Sequence, residues 1–319
     1  MAVYTEVTDE ALVRFLARYE IGALVAFRGI AEGVENSNYA LKTTQGDFIL
    51  TLYEKRVTRK DLPYFLALMT YLRGQGLPCP MPIQARSGES LQELAGRAAT
   101  ITSFLPGVWP RHVQPFHCEH LGAALAGLHI ASSGFTMTRY NRLGPSSWAG
   151  LLAASLSRAD ELRPGLAADL QEWLPRILAE WPRTLPQGQI HADLFPDNVF
   201  FLDGRISGLI DFYFACTDSL AYDIAICMNS WCFTGQADFN TEAARALLLG
   251  YQAVRPLCEA ELAALPILAR GAALRFLLTR LYDWLHTSPG AFVTLKDPLE
   301  YYHRLRFHIA VSGARVYGV

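Results

Sequence analysis

The rhythm of apolar and polar positions changes near residue 107, and the change divides the chain. Before it, a helix is predicted from Thr8. Thr8 can cap, Asp9 and Glu10 suit the positive helix end, and Leu12, Phe15, Leu16 and Tyr19 share one face, with Gly22 as the stop. Alternating patterns then predict strands over Ala23–Phe27, Asn38–Thr43 and Asp47–Tyr53, the last two joined by a turn at Gln45-Gly46. Helical spacing returns over residues 60–73, through Leu62, Phe65, Leu66, Met69 and Leu72. Three prolines make Leu77–Pro82 an extended loop, and Ala98–Phe104 reads as a strand broken by Leu105-Pro106-Gly107. After Gly107 helical spacing dominates, over about 117–130, 146–159, 165–181, 219–231, 240–253, 258–287 and 297–312, with one short β segment at 199–212. The predicted fold class is α+β: a small, sheet-rich N-lobe (1–104) and a larger, mostly helical C-lobe (105–319), with a ligand cleft expected between them.

Composition narrows the partners more than the fold. The 319 residues suit two lobes. A net charge of -2 offers no basic footprint for nucleic acid or for an anionic membrane surface. Apolar runs are broken by charge within about a dozen residues, short of a membrane span, and the N-terminus lacks the basic and apolar regions of a signal peptide. Cys79, Cys118, Cys216, Cys227, Cys232 and Cys258 form no CxxC pair and are expected as small buried residues in a reducing, cytoplasmic setting.

The chemistry is concentrated in one stretch. Gln189 to Phe200 contains His191-Ala192-Asp193-Leu194-Phe195-Pro196-Asp197-Asn198, and Asp211 follows the apolar run Gly208-Leu209-Ile210. A polar turn between strands would explain Asp, Pro and Asn. Phosphoryl transfer explains the whole set. A carboxylate must accept the hydrogen bond of the attacking hydroxyl, and Asp193 suits that role. ATP brings Mg2+, a hard cation, and Asn198 and Asp211 offer oxygen ligands. His191 is expected to brace the loop; Asp218 reads as the cap of the next helix, and Asp223, on that helix, as a support carboxylate needing partners such as the loop's N–H groups.

At these residues the chain resembles the aminoglycoside phosphotransferase-like family, a relative of the protein kinases, through His191–Asn198, Ile210-Asp211-Phe212 and Thr217–Ala225. The resemblance implies a bilobal protein-kinase-like fold and places the lobe hinge at Phe104–Gly107. Within the family the chain is most similar to bacterial homoserine kinases, in Gly33–Tyr39, Leu50–Arg56, Arg275–His286 and Lys296–Tyr301. This likeness implies ATP and Mg2+ as cofactors and L-homoserine as the acceptor. It assigns nucleotide contacts to Asn36, Ser37, Asn38, Lys55, Ser103 and Leu105. The chain departs from the family pattern in two places. A G-x-G-x-x-G loop is replaced by Gly29–Asn38, and Thr51 stands where the third strand normally carries a phosphate-binding lysine, leaving Lys42, Lys55 or Arg56 to supply the charge.

Homoserine's carboxylate calls for arginine and its ammonium for an acid. Arg275, Arg280 and Asp283 lie near one side of a predicted helix and are the candidate acceptor contacts. An internal salt bridge joining helices is the equal alternative. Other acceptors (choline, ethanolamine, an aminoglycoside) and an inactive kinase-fold binding protein remain open at the level of sequence.

Overall fold

The structure is a computed structural model that describes residues 5–30, 36–54, 58–235, 237–287 and 295–318. These group into two compact units. The first comprises the described residues up to Gly107 together with Ser207–Tyr213, and the second Val108–Ile206 and the described residues from Phe214 onward. The chain therefore divides at Gly107, and a segment from beyond the His191–Asn198 loop returns to the first unit. Local patterning could not reveal that return, because a strand's apolar rhythm does not say which core receives it.

In the first unit, helix α1 (Asp9–Leu16) is capped by Thr8, whose Oγ1 accepts from Ala11 N at 3.3 Å. It ends at Ala17 rather than Gly22, so Tyr19 reaches the core from a turn. Strands β1 (Leu24–Gly29), β2 (Ser37–Thr43), β3 (Gly46–Tyr53), β4 (Gln92–Leu94) and β5 (Arg97–Ser103) form one antiparallel sheet in the order β1-β2-β3-β5-β4. Thr43 pairs with Gly46, so the two-residue turn is Thr44-Gln45, one residue earlier than expected. Helix α2 (Leu62–Gly74) lies in the same unit. Tyr39 and Leu41 of β2, Leu50 and Leu52 of β3, and Ala99 and Ile101 of β5 share a core with Leu12, Phe15 and Leu16 of α1. Each fully buried leucine contributes roughly 2 kcal/mol.

The second unit holds helices α3 (Pro115–Ala131), α4 (Pro145–Ser155), α5 (Leu166–Glu180), α6 (Leu220–Trp231), α7 (Thr241–Val254), α8 (Glu259–His286) and α9 (Pro298–Ala310). The predicted α4 ran to residue 159, but Leu156–Glu161 tightens to a 3-10 helix. The expected β segment is two short strands, β7 (Val199–Leu202) and β8 (Arg205–Leu209), turned at Asp203 and Gly204, both at positive φ. Several short strands escaped the sequence reading, β4 among them and also a pair in this unit: β6 (Gln187–Ile190) pairs antiparallel with β9 (Cys216–Ser219), Ile190 opposite Cys216. Each has four residues, too few for a period to show. Asp218 lies one residue before the cap of α6, which is Ser219; its carboxylate accepts from Ser219 N and from Asn141 Nδ2 instead.

Helix α8 is long and apolar enough, by length and composition, to cross a membrane, which corrects the expectation that no run reaches that limit. Of its most apolar stretch, 78% is buried inside the protein, as in a core helix. Five cysteines are buried as expected, but Cys258 is exposed at the start of α8, where Glu261 Oε2 accepts from its N–H.

Helices α3 and α7 approach at glycines. A Cβ on Gly250 would stand 2.0 Å from the Glu119 carbonyl oxygen, and one on Gly122 2.1 Å from that of Leu247. Both obstacles are backbone and cannot rotate away. Gly250→Ala is therefore expected to destabilise the protein by about 3 kcal/mol. In urea this appears as a lower unfolding midpoint at unchanged slope.

Candidate active site

Strand β6 ends at Ile190, and the chain enters a loop held by bonds to its backbone groups. Asp223, fully buried on α6, accepts from His191 N at 2.7 Å and from Ala192 N at 2.9 Å. His129 on α3 meets the same carboxylate, its Nε2 3.3 Å from Asp223 Oδ2, while its Nδ1 contacts Tyr251 Oη at 2.8 Å. Burial pushes the Asp223 carboxyl up; the hydrogen bond and attraction of His129, with His191 and its N–H, outweigh burial and hold the carboxyl below its ordinary value. Arg275 on α8 donates from Nη1 to the Ala192 carbonyl at 2.5 Å. Trp231 Nε1 donates to the Leu194 carbonyl at 2.8 Å.

Within this frame Ala192 sits at φ 63, the left-handed region, which costs a non-glycine residue about 1–2 kcal/mol. The left-handed turn leads directly into Asp193. His191 Nδ1 accepts from Asp193 N at 3.3 Å, bracing the loop. Asn198 Nδ2 donates to the Asp193 carbonyl at 2.8 Å and lies 3.5 Å from its Oδ2. That orientation leaves Asn198 Oδ1 as a hard oxygen donor. Phe195 packs edge-on against Phe276 at 5.0 Å, and the Lys296 ammonium lies 5.1 Å from the Phe195 ring and 3.9 Å from Asp197 Oδ2.

The second unit thus brings His191, Asp193, Asn198, Asp223 and Arg275 together. Arg275 is buried at 2% exposure and faces the loop backbone, so its guanidinium has a neighbour other than the expected acceptor. Arg280 donates to the Asp297 carbonyl and pairs with Glu300 at 2.5 Å; Arg304 pairs with the other Glu300 oxygen. The internal-salt-bridge alternative describes Arg280 as it stands. Both guanidiniums flank the Tyr301 ring, at 4.4 and 4.8 Å. Asp283 is half-buried further along α8. Asn229 links α6 to α8, its Nδ2 donating to the carbonyls of Ala225 and Ala269.

The first unit holds Asp211, at φ 64, among hydroxyls. Tyr53 Oη bonds Thr100 Oγ1 at 2.9 Å and Tyr213 Oη at 3.0 Å, and Thr51 bonds Tyr213 and, at 2.8 Å, Asn38 Oδ1. Burial, aided by the charge of Asp211, pushes the Tyr53 phenol up to about 12 and Tyr213 well above its ordinary value, so both stay neutral. A neutral hydroxyl network therefore occupies the Thr51 position. The side chains expected to touch nucleotide are engaged inside this unit. Ser37 Oγ accepts from Thr5 N and donates to Glu54, Asn36 Oδ1 accepts from Glu54 N, and Ser103 Oγ accepts from Met81 N. Ser37 is fully buried and Leu105 is buried as well. Lys55, Arg56 and Gly33–Glu35 lie outside the described residues.

Sequence reasoning missed His129 and the loop contact of Trp231. His129 stands 94 residues from Asp223, and no local spacing links them.

Comparisons with known proteins agree with this geometry. Residues 26–257 match the model of the phosphotransferase enzyme family. The chain is 62% identical to homoserine kinases of Granulibacter bethesdensis and Acidiphilium cryptum, over the full length of each protein, and 57% identical to that of Rhodospirillum rubrum, covering 99% of it. Among solved structures, it resembles an amicoumacin kinase (TM-score 0.68, 16% identity, 97% and 93% of the two chains covered) and a choline kinase of Cryptosporidium parvum (TM-score 0.66, 14% identity, 95% and 94% covered). Those identities show a shared fold, and the mixed α/β architecture is that of these kinases. The clamped loop, the family match and the full-length relatives carry one conclusion: this chain belongs to the phosphotransferase enzyme family.

Proposed function

We propose that this enzyme transfers the γ-phosphoryl group of ATP to the hydroxyl of L-homoserine, giving O-phospho-L-homoserine for threonine biosynthesis in the cytoplasm. The observation that carries the reading is 62% identity to homoserine kinases along the whole chain. Asp193 accepts the hydroxyl's proton as its oxygen bonds to phosphorus and the bond from phosphorus to the β–γ bridging oxygen breaks. His191 and Asp223 hold the loop. Asn198 Oδ1 and the Asp211 carboxylate are hard oxygen donors that fit Mg2+, and among the described residues no cluster of three or more His, Cys, Asp or Glu side chains offers an all-protein cage. Mg2+ generally takes one or two protein oxygens together with substrate phosphates. When bound, it neutralises charge on the transferring phosphoryl group.

For the acceptor, Arg280 and Arg304 share a single carboxylate, Glu300, so the cluster carries a surplus positive charge that suits a substrate carboxylate. Asp283 is the proposed partner of the ammonium. On the nucleotide side, backbone groups around Asn36–Asn38, Ser103 and Leu105, with Lys55, are the proposed contacts.

The test is ADP release from Mg-ATP with L-homoserine, L-serine, choline, ethanolamine and kanamycin. Turnover with L-homoserine alone is expected. Activity confined to another acceptor would discard the threonine-pathway assignment while keeping the phosphotransferase; silence with bound nucleotide would favour a binding protein.

A further inference from the structure

Arg275 occupies an unfavourable position by ordinary electrostatics. Its guanidinium is a permanent cation at 2% exposure. Among the described residues its one hydrogen bond is that from Nη1 to the Ala192 carbonyl, and its buried Nε has no acceptor. Among the described residues no carboxylate stands within ion-pair distance of it. Two aromatic faces, Phe276 at 4.3 Å and Phe214 at 5.6 Å, and a longer-range attraction to the Asp218 carboxylate are its other favourable interactions among the described residues. A methionine or leucine there would avoid the desolvation cost of a buried ion. The charge therefore calls for a reason other than stability.

The bond to Ala192 supplies that reason. The Ala192 carbonyl and the Asp193 N–H belong to one planar peptide unit. Arg275 holds its oxygen, and His191 Nδ1 holds its N–H. Asp223 fixes the preceding unit through Ala192 N. The left-handed φ of Ala192 persists only while its surroundings over-determine it. Without Arg275, the 192–193 peptide keeps only the 3.3 Å bond of its N–H to His191 Nδ1, so Ala192 can relax towards an ordinary basin and the Asp193 side chain can shift with it.

We infer that Arg275 is a positioning residue: from α8 it locks the Ala192–Asp193 peptide and so aims the Asp193 carboxylate at the acceptor hydroxyl. The inference rests on the phosphotransferase reading of Asp193. It separates Arg275 from the acceptor's carboxylate, the role its position in sequence first suggests.

The experiment compares Arg275→Met and Arg275→Lys with the unsubstituted full chain, measuring kcat, both KM values and Tm, together with a crystal structure of Arg275→Met. In Arg275→Met, kcat is expected to fall about 100-fold, the cost of a displacement near 1 Å in a reacting group. KM for L-homoserine and for Mg-ATP should each stay within about threefold, because no substrate contact is removed. Tm should hold or rise, and Ala192 should leave the left-handed region. Arg275→Lys, a point donor in place of a planar fork, should recover part of kcat. A kcat within about threefold of the unsubstituted enzyme would overturn the inference, and so would a raised homoserine KM at preserved kcat, which places Arg275 on the substrate. If Arg275→Met fails to fold, the Lys variant carries the same kinetic criteria. Absence of homoserine-dependent turnover in the unsubstituted enzyme would refute the acceptor assignment instead; the role of Arg275 is then judged by the structure, where an unturned peptide with Ala192 still left-handed sinks it.

Discussion

Replacing Asp193 by asparagine is expected to lower kcat by about 1,000-fold while nucleotide affinity is retained, a loss of about 4 kcal/mol of transition-state stabilisation. Asparagine is close to isosteric and keeps a hydrogen-bonding oxygen, but it cannot take the proton of the attacking hydroxyl. The loop should survive the change, because its geometry depends on the Asp193 backbone: N–H to His191 Nδ1, and carbonyl to Asn198 Nδ2 and Phe195 N. Steady-state kinetics and nucleotide titration check this together. Turnover within about tenfold of the unsubstituted enzyme would remove Asp193 from the base role, since positioned proton acceptors commonly contribute 100-fold or more.

Asp223→Ala should be the most damaging single change to stability near the site. It leaves His191 N, Ala192 N and His129 without the carboxylate that gathers them in a fully buried setting. Breaking such a buried charged group costs about 3–5 kcal/mol, which for a unit of this size lowers Tm by roughly 10 °C. Activity should be lost as well, since Ala192 loses one of its two clamps. The pH dependence has a definite sign. The folded-state carboxyl lies below its ordinary value of 3.8, so its contribution is fully present above that value and disappears as pH falls through the lower folded one. Acid unfolding of the unsubstituted protein should therefore be steeper below about pH 4 than that of Asp223→Ala. Asp223→Asn, which keeps one acceptor oxygen, should be intermediate. A Tm loss of less than about 2 °C in Asp223→Ala would mean that the loop does not depend on this carboxylate.

Much of the architecture was legible because the signals are local. Helical spacing of apolar residues marked α2, α3 and α5 to α9 to within about three residues, since a 3.6-residue period repeated over several turns leaves little ambiguity. The cap of α1 was equally readable from Thr8 and the acids behind it, whereas its end was not: Gly22 looked like a stop, but the helix had already given way at Ala17. The four-residue pair β6 and β9 carried no readable period, and β9 lay hidden in a segment that begins a helix.

The sequence by itself singled out the residues proposed for the chemistry. Asp193, Asn198 and Asp211 stand at spacings set by the loop and strand that carry them, and residue chemistry alone pointed to phosphoryl transfer. Tertiary structure decided what each charge faces. Arg275 and Arg280 share a helix five residues apart, yet one grips the Ala192 carbonyl and the other shares Glu300 with Arg304. The His129–Asp223 contact joins α3 to α6, and Ser207–Tyr213 returns to the first unit after a long excursion. The physical reason is range. Periodicity and capping act over a few residues, while the partners of a buried charge are chosen by whichever elements pack around it, and that choice exists only once the chain has folded.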